Sequence, residues 1–560
     1  MNQLKDHILI LGAGLMQRPA IQSARKLGLK VTVIDANPNA MCIPLADNFE
    51  PVDLKDKEKI RSLALNLKET DNLKAVFTAG TDFSASVSYA SEACGFSAHS
   101  FEAALNASDK VRMRQCFKNA NVPSPNFLQA DKTNLESICT QKDKLKGFSY
   151  PLVIKPVDNM GGRGCRLVRT EEELENALKD AIANSKSQRA IIEDYMEGPE
   201  FSIDAIVYNG TITICGFADR HIFFPPYFIE MGHTMPTIID EENKLKLIVT
   251  FAKGIQALGL TCGVAKADIK LTEKGPMIGE IAARLSGGYM SGWTYPYSSD
   301  CPLTEQAQLV ALGKEPEWLV KNRQPVNYKD SELSFELYDV PSKRTCAERA
   351  WISIPGTVHT VYGLENLQAG SNIKDVFPRS SQNDNVVFPH NNVEKCGNVL
   401  CVSEKRENAI SDTNEFISNI VLRLKTQNKE TDSFLKDINN SFPPDAFQLP
   451  VEIKEKLNAE CPDTTCLSVS DPVKDKVPPC LLPYMDSLTD WNHRTLNKTI
   501  ELYDKIRVAE SSIPQKSSSS TISANLFWKA CLRGGIQGML YVTDSISEGL
   551  SSKEISERIL

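Results

Sequence analysis

The chain has 560 residues, enough for roughly four domains of ordinary size, and 41% of them are apolar, enough for substantial cores. Its 71 acidic against 63 basic side chains give a net charge of -8, which argues against a nucleic-acid or anionic-membrane partner and requires any anion site to be local. No apolar run reaches the roughly 18 residues of a membrane span, the start passes from a charged segment into an apolar strand without a cleavage pattern, and the 15 cysteines are scattered singly, so a cytoplasmic protein with reduced thiols is expected.

In chain order, "HILILG", a helix from about Arg18, "KVTVID", "KAVFTAG" and a helix through "FSASVSYASEACG" predict an open parallel α/β sheet. The loop "LGAGLMQRPA" has two glycines at dinucleotide-loop spacing, but Gln17 stands where a third would be, and Asp35 ends the second strand. "SDKVRMRQCFKNANV" reads as a capped helix ended by "VPSP". A strand-rich α+β region follows through "YPLVIKP", "GCRLVRT", "RAIIEDYM", "FSIDAIVY" and "TITICGFA", with two more strands flanking "TEKGP". After a helix near Leu303 to Leu312, residues 331 to about 425 return to short strands and finish on a helix. The remainder contains "SSIPQKSSSSTIS", read as a flexible linker, and "ANLFWKACLRGGIQGMLYVTDSI", whose Lys529 and Arg533 favour a helix packed on the body over a membrane span.

Three stretches carry chemistry. In "VIKPVDNMGGRGCRLV", Lys155 follows an apolar run and needs an anionic partner, while Gly161, Gly162 and Gly164 let backbone N–H groups approach an anion. In "AKADIKLTEKGPMIGEIAARLSGG", a three-residue loop Glu273-Lys274-Gly275 would set Asp268 opposite Glu280, their Cβ atoms about 5 Å apart. Facing carboxylates repel, and a divalent cation removes that cost; magnesium suits two carboxylates completed by phosphate oxygens and water. In "IIEDYMEGPEFS", a strand ending at Glu193 would present backbone groups to an adenine edge, and Glu200 would accept from a ribose hydroxyl.

These elements in this order resemble the ATP-grasp superfamily of ADP-forming ligases over residues 1 to about 425, closest in pattern to the L-amino-acid ligase and phosphoribosylglycinamide synthetase-like carboxylate-amine ligases. The resemblance implies an N-terminal parallel α/β domain (1–108), an ATP-grasp domain of two α+β subdomains (109–330, lid about 124–198), a C-terminal α+β subdomain (331–425) and an extension of unassigned role (426–560, Ser-rich near 511–523). It implies ATP with Mg2+, or Mn2+ in its place, as cofactors, and a small-molecule carboxylate and amine as substrates, and it leaves a homodimer open. By position, Lys110 and Lys155 resemble the phosphate-binding lysines, Gly161 to Gly164 the lid loop, Glu193, Asp194 and Tyr195 the adenine hinge, and Glu200 the ribose acceptor. Asp268 and Glu280 resemble the metal ligands and Arg284 the arginine near the γ-phosphate. "EMGHTMP" is similar to the Glu-x-x-His substrate loop of the L-amino-acid ligases, which assigns Glu230 and His233 to the substrate and its amine. Many relatives have asparagine where this chain has Ala282, which offers no ligand oxygen. The competing readings are a biotin-carboxylase-like enzyme that activates bicarbonate and a regulatory ATP-binding protein without turnover.

Overall fold

The computed structural model describes residues 5–328, 332–365, 372–437, 442–462, 464–469, 471–511 and 521–559. Two compact units share the chain: Met1–Ile222, His233–Ala347 and Val402–Arg406 form one, and Phe223–Gly232, Glu348–Cys401 and Glu407–Leu560 the other.

The first unit opens on a parallel sheet ordered β3-β2-β1-β4, with β1 His7–Leu11, β2 Lys30–Ile34, β3 Asn48–Glu50 and β4 Leu73–Phe77. Every residue of "HILIL" is buried, as expected of a strand covered on both faces. The two-residue side-chain period sends Ile8 and Ile10 into one core and Leu9 and Leu11 into another.

The loop after β1 is closed by its own side chains. Gln17 is buried, its amide oxygen accepting from the Ala79 N–H at 3.0 Å and its amide N–H donating to the Ala79 carbonyl. Asp35 accepts from the Ala13 N–H at 2.9 Å and the Asn37 N–H at 2.9 Å. Gln17 therefore ties this loop to the loop after β4, and the Asp35 carboxylate serves the backbone beside it, the roles of packing residues.

A second sheet, ordered β5-β8-β6-β7, contains β5 Phe127–Asp131, β6 Leu152–Pro156, β7 Arg166–Val168 and β8 Arg189–Asp194. Leu174, Ala177, Leu178 and Ala181 of the helix Glu171–Ala183 cover Leu152, Ile154 and Ile192 on one face. A third stretch of sheet runs β13-β12-β9-β10, with β9 Glu200–Tyr208, β10 Thr211–Phe223, β12 Gly263–Thr272 and β13 Gly275–Ala282. Glu336–Asp339 also belongs to the first unit, pairing in parallel with Thr211–Ile214, so the following unit begins later than the residue 331 boundary.

The second unit has one continuous core. Trp351, Val399 and Ile417, from before residue 425, pack in the same cluster as Phe434, Phe447, Tyr503, Trp528 and Leu540, from after it. The described residues beyond 425 thus contribute to this core rather than forming an appendage. The helix Ala524–Ser547 is buried almost throughout and kinks at Gly535, whose φ of 59° and ψ of -147° break the helical geometry. The buried Arg533 guanidinium donates to the carbonyls of Phe434 (3.0 Å) and Pro443 (2.7 Å) and to Asp445 (3.1 Å), which explains a cation in so apolar a helix. No helix among the described residues is long and apolar enough to cross a membrane. Most of the Ser-rich stretch, residues 512–520, lies outside the described residues.

Side-chain amides from the tail complete the backbone of an earlier strand end. Asn492 accepts from the Ile352 N–H at 2.9 Å and donates to the Ile352 carbonyl at 3.0 Å, while Gln537 accepts from the Ile354 N–H at 3.2 Å. Replacing Asn492 by alanine strands buried backbone groups, so a loss of about 1–3 kcal/mol in unfolding free energy is expected. Denaturant melts of the two proteins check this, and equal midpoints would refute it.

Candidate active site

The helix Lys110–Asn119 organises the site. Its N-cap is Asp109, which accepts from the N–H groups of Val111 (2.9 Å) and Arg112 (3.1 Å). Lys110 and Arg114, one turn apart, share a face. The Lys110 ammonium donates to the Asn159 carbonyl at 3.1 Å and lies 3.6 Å from Glu280. The fully buried Arg114 guanidinium pairs with Glu193 at 2.7 Å and donates to the Gly279 carbonyl at 2.6 Å.

Lys155 finds the anionic partner its burial demands inside the protein: its ammonium is 2.8 Å from the other oxygen of Glu193. Burial alone would push the Glu193 carboxyl up, but Arg114 and Lys155 hold it below the usual carboxylate range. The same partnership raises Lys155 against its own desolvation, so lysine and carboxylate are both charged. The Glu193 side chain therefore orients Lys155 and is turned away from a role in holding a base. Beyond it, the amides of Asp194 and Tyr195 are bonded to the carbonyls of Asn126 and Pro151 at 3.3 Å each, and the Met196 carbonyl accepts from Lys270 at 3.1 Å. Lys270 also lies 5.1 Å above the Tyr195 ring.

Gly161, Gly162 and Gly164 sit in the loop joining β6 to β7 with φ of 70°, 79° and 66°, left-handed values that favour glycine. A Cβ on Gly164 would come 2.8 Å from the Asn184 Cβ, so the loop also packs tightly at its far end.

The third sheet separates its chemistry by parity. Phe201, Ile203, Ala267, Ile269 and Ile281 face a core. The opposite face carries Glu200 and Asp204 from β9, Arg220 from β10, Lys266, Asp268 and Lys270 from β12, and Glu280 and Ala282 from β13. Asp268 pairs directly with Glu280, as expected, but not through a three-residue loop. Thr272 pairs with Gly275, leaving a two-residue turn, and a bulge between Asp268 and Ile269 restores the expected register. The extra residue is Gly279, where a Cβ would meet the Asp268 carbonyl at 3.1 Å.

The repulsion expected between the two carboxylates is offset by neighbouring cations. Asp268 is 2.6 Å from Arg220 and bonds Lys266. Glu280, despite desolvation, is held down to about 2 by Lys110, Lys266, Arg284 and Lys155. Arg220 also reaches Glu200 at 2.5 Å, and Lys270 lies 3.6 Å from the same carboxylate. Ala282 pairs in register with Lys266, so a lysine occupies the strand position facing the site of the absent asparagine. Among the described residues no cluster of three or more histidine, cysteine, aspartate and glutamate side chains could hold a metal ion by themselves. Two carboxylates side by side fit magnesium, whose remaining positions would go to phosphate and water.

Arg284 is buried, donating to the Leu285 carbonyl at 3.0 Å, with Asp82 at 3.7 Å. Asp204 accepts from both the N–H and hydroxyl of Ser286 at 2.9 Å, fixing the turn after Arg284. Sequence reasoning missed Arg114, Asp204, Arg220 and Lys266. The signals were the one-turn spacing in "KVRMR" and the same-face alternation in "KAD" and "SIDA".

"EMGHTMP" departs from the expected substrate loop. It forms most of β11, Ile229–Met235, a wholly buried strand. Glu230 and His233, three residues apart, leave such a strand on opposite sides. In the first unit the fully buried His233 shares a 2.7 Å hydrogen bond with the Thr294 hydroxyl. In the second unit Glu230 is held through its backbone, its N–H donating to Asn392 at 2.8 Å and its carbonyl accepting from Lys395 at 2.7 Å.

Residues 148–292, which contain the glycine loop and the carboxylate hairpin, match the ATP-grasp domain. The chain carries an ATP-grasp domain. Residues 350–425 match L-amino acid ligase C-terminal domain 2. The uncharacterized protein y4rH of Sinorhizobium fredii (strain NBRC 101917 / NGR234) is 25% identical over 290 residues, 50% of this chain, and the match spans 59% of that protein's length. In fold, the L-amino acid ligase from Bacillus licheniformis is similar over 76% of this chain and all of that one, at 20% identity and a TM-score of 0.63. Phosphoribosylglycinamide synthetase from Anaerococcus prevotii is similar over 75% of this chain and all of that one, at 20% identity and a TM-score of 0.56. The ATP-grasp domain thus follows a parallel N-terminal sheet, as the order of elements implied.

Asp204 offers a pH test of this arrangement. Burial pushes its carboxyl up to about 6, against bonds from Ser286 and the charges of Lys266 and Arg284. In the unfolded chain it ionises near 3.8, so its ionisation opposes folding, not at all below that pH and fully above about 6. Between pH 4 and 7 an Asp204→Asn variant should gain on the native protein by roughly 2 kcal/mol, read from denaturant melts at both pH values. Parallel stability curves would contradict the assignment.

Proposed function

We propose that the protein is an ATP-dependent carboxylate-amine ligase that forms ADP, acting on an amino acid or small carboxylic acid. The observation carrying this reading is the convergence of Lys110, Lys155, Asp268 and Glu280 around one helix beside a glycine loop. A substrate carboxylate attacks the γ-phosphate of ATP, the bond to the β-phosphate oxygen breaks, and ADP leaves; an amine then attacks the acyl phosphate, expelling phosphate and losing a proton.

Such a reaction needs no covalent nucleophile from the protein. It needs alignment and charge neutralisation, the roles proposed for Lys110, Lys155 and Arg284. Asp268 and Glu280 would hold magnesium, which neutralises phosphate charge when bound. Glu193 holds Lys155 charged and pointed, and Glu200 accepts from ribose. The Gly161 to Gly164 loop closes over the phosphates and keeps water from the acyl phosphate. Glu230 binds the ammonium group of an amino-acid substrate. His233, which shares a hydrogen bond with Thr294, would orient the amine or accept its proton.

ADP release screened over amino acids and small carboxylic acids with MgATP tests the reading, and release dependent on an acid and amine pair is expected. Release dependent on bicarbonate would favour carboxylation instead, and MgATP binding without release under any pair would favour a regulatory protein. In the active pairing, Lys155→Ala and Glu280→Gln should each lower the rate about 100-fold or more, with extra magnesium restoring Glu280→Gln only in part. Unchanged rates at ordinary magnesium would remove both residues from the mechanism.

A further inference from the structure

The charged face of the third sheet is built in rows, because residues paired across neighbouring strands stand side by side. One row is Ser202, Asp268 and Glu280, and it holds the two carboxylates that fit magnesium. The next row, one step along β13 towards Arg284, is Asp204, Lys266 and Ala282. Both rows lie within the first unit.

The second row is poor in ligands for a metal ion. Ala282 has no side-chain oxygen, and the buried Asp204 is turned to Ser286, whose N–H and hydroxyl both donate to one of its oxygens at 2.9 Å. What the row does hold is a cation. The Lys266 side chain is 12% exposed and its ammonium bonds Asp268. Asp268 already pairs with Arg220 at 2.6 Å, so Lys266 adds charge beyond what this single carboxylate needs. That charge also bears on Glu280, where Lys110 contributes more. A carboxylate has about four lone-pair sites, so Asp268 can keep its bond to Lys266 and still ligate a metal ion.

We infer that the site takes a single divalent cation with each nucleotide, held by Asp268 and Glu280, and that the Lys266 ammonium serves as a built-in second cation facing the terminal phosphate. This rests on the proposed ATP site. One divalent ion leaves part of the triphosphate charge uncovered, and a lysine ammonium, a compact point charge on a sheet already folded, covers it without a second metal-binding step.

The test uses the full-length protein with Mn2+ and the non-hydrolysable ATP analogue AMP-PNP in equilibrium dialysis, counting bound Mn2+ against bound analogue. A ratio near one is expected, and a ratio near two would overturn the inference. At saturating Mn2+, Lys266→Ala should weaken AMP-PNP about tenfold or more and ADP by no more than about threefold. Lys266→Arg, which keeps the charge, should recover most of the loss. Both nucleotides weakened alike, or neither weakened, would also overturn it. Thermal melts confirm that the variants are folded, and Lys266→Met replaces Lys266→Ala if that variant does not fold. Native protein that binds no AMP-PNP, or binds it equally well without Mn2+ and after Glu280→Gln, would instead remove the ATP site on which the inference rests.

Discussion

The candidate site depends on one buried cation. Arg114 has no exposed surface and binds the Glu193 carboxylate on one side and the Gly279 carbonyl on the other. A guanidinium taken out of water is tolerable only when its donors are used, and both partners lie where chemistry is needed. Through Glu193 it sets the lysine of the glycine-loop sheet; through Gly279 it grips the bulge that brings Asp268 and Glu280 into register. Lys110, one turn earlier on the same helix, reaches Glu280 directly. Three segments distant in sequence are held by two side chains of a helix ten residues long.

Around that helix, the central sheet keeps its two jobs apart by strand periodicity. One face is aliphatic and aromatic and buries a core against the helix Glu241–Leu258. The other is charged, with acids and bases alternating between neighbouring strands: Glu200 against Lys270 and Arg220, and Asp204 against Lys266. This alternation places a cation beside the carboxylates of that face and offsets the repulsion that like-charged neighbours impose. The local charge is therefore close to balanced.

Much of this was legible because it rests on short-range rules. Parity and a nearby turn were enough to pair Asp268 with Glu280, and an apolar run ending in lysine was enough to require an anion at Lys155. The bulge was not legible, since a two-residue turn plus a bulge gives the same pairing as a three-residue turn. Nor was the partner of Lys155, because Glu193 and Arg114 meet it only through tertiary packing. The strand nature of the Glu230 segment was hidden by its glycine and histidine, residues that suggest a loop until neighbouring strands bury them. The tail was opaque for a related reason: its apolar helix shares a core with strands more than a hundred residues earlier, and spacing along the chain carries no trace of that.

The most direct measurement is a structure determined with magnesium and a non-hydrolysable ATP analogue bound. The account predicts a cation coordinated by Asp268 and Glu280, phosphates within hydrogen-bonding reach of Lys110 and Lys155, and the glycine loop folded over them. A nucleotide lodged elsewhere, or one bound here with both carboxylates still engaged solely by Lys266, Arg220 and Lys110, would contradict it.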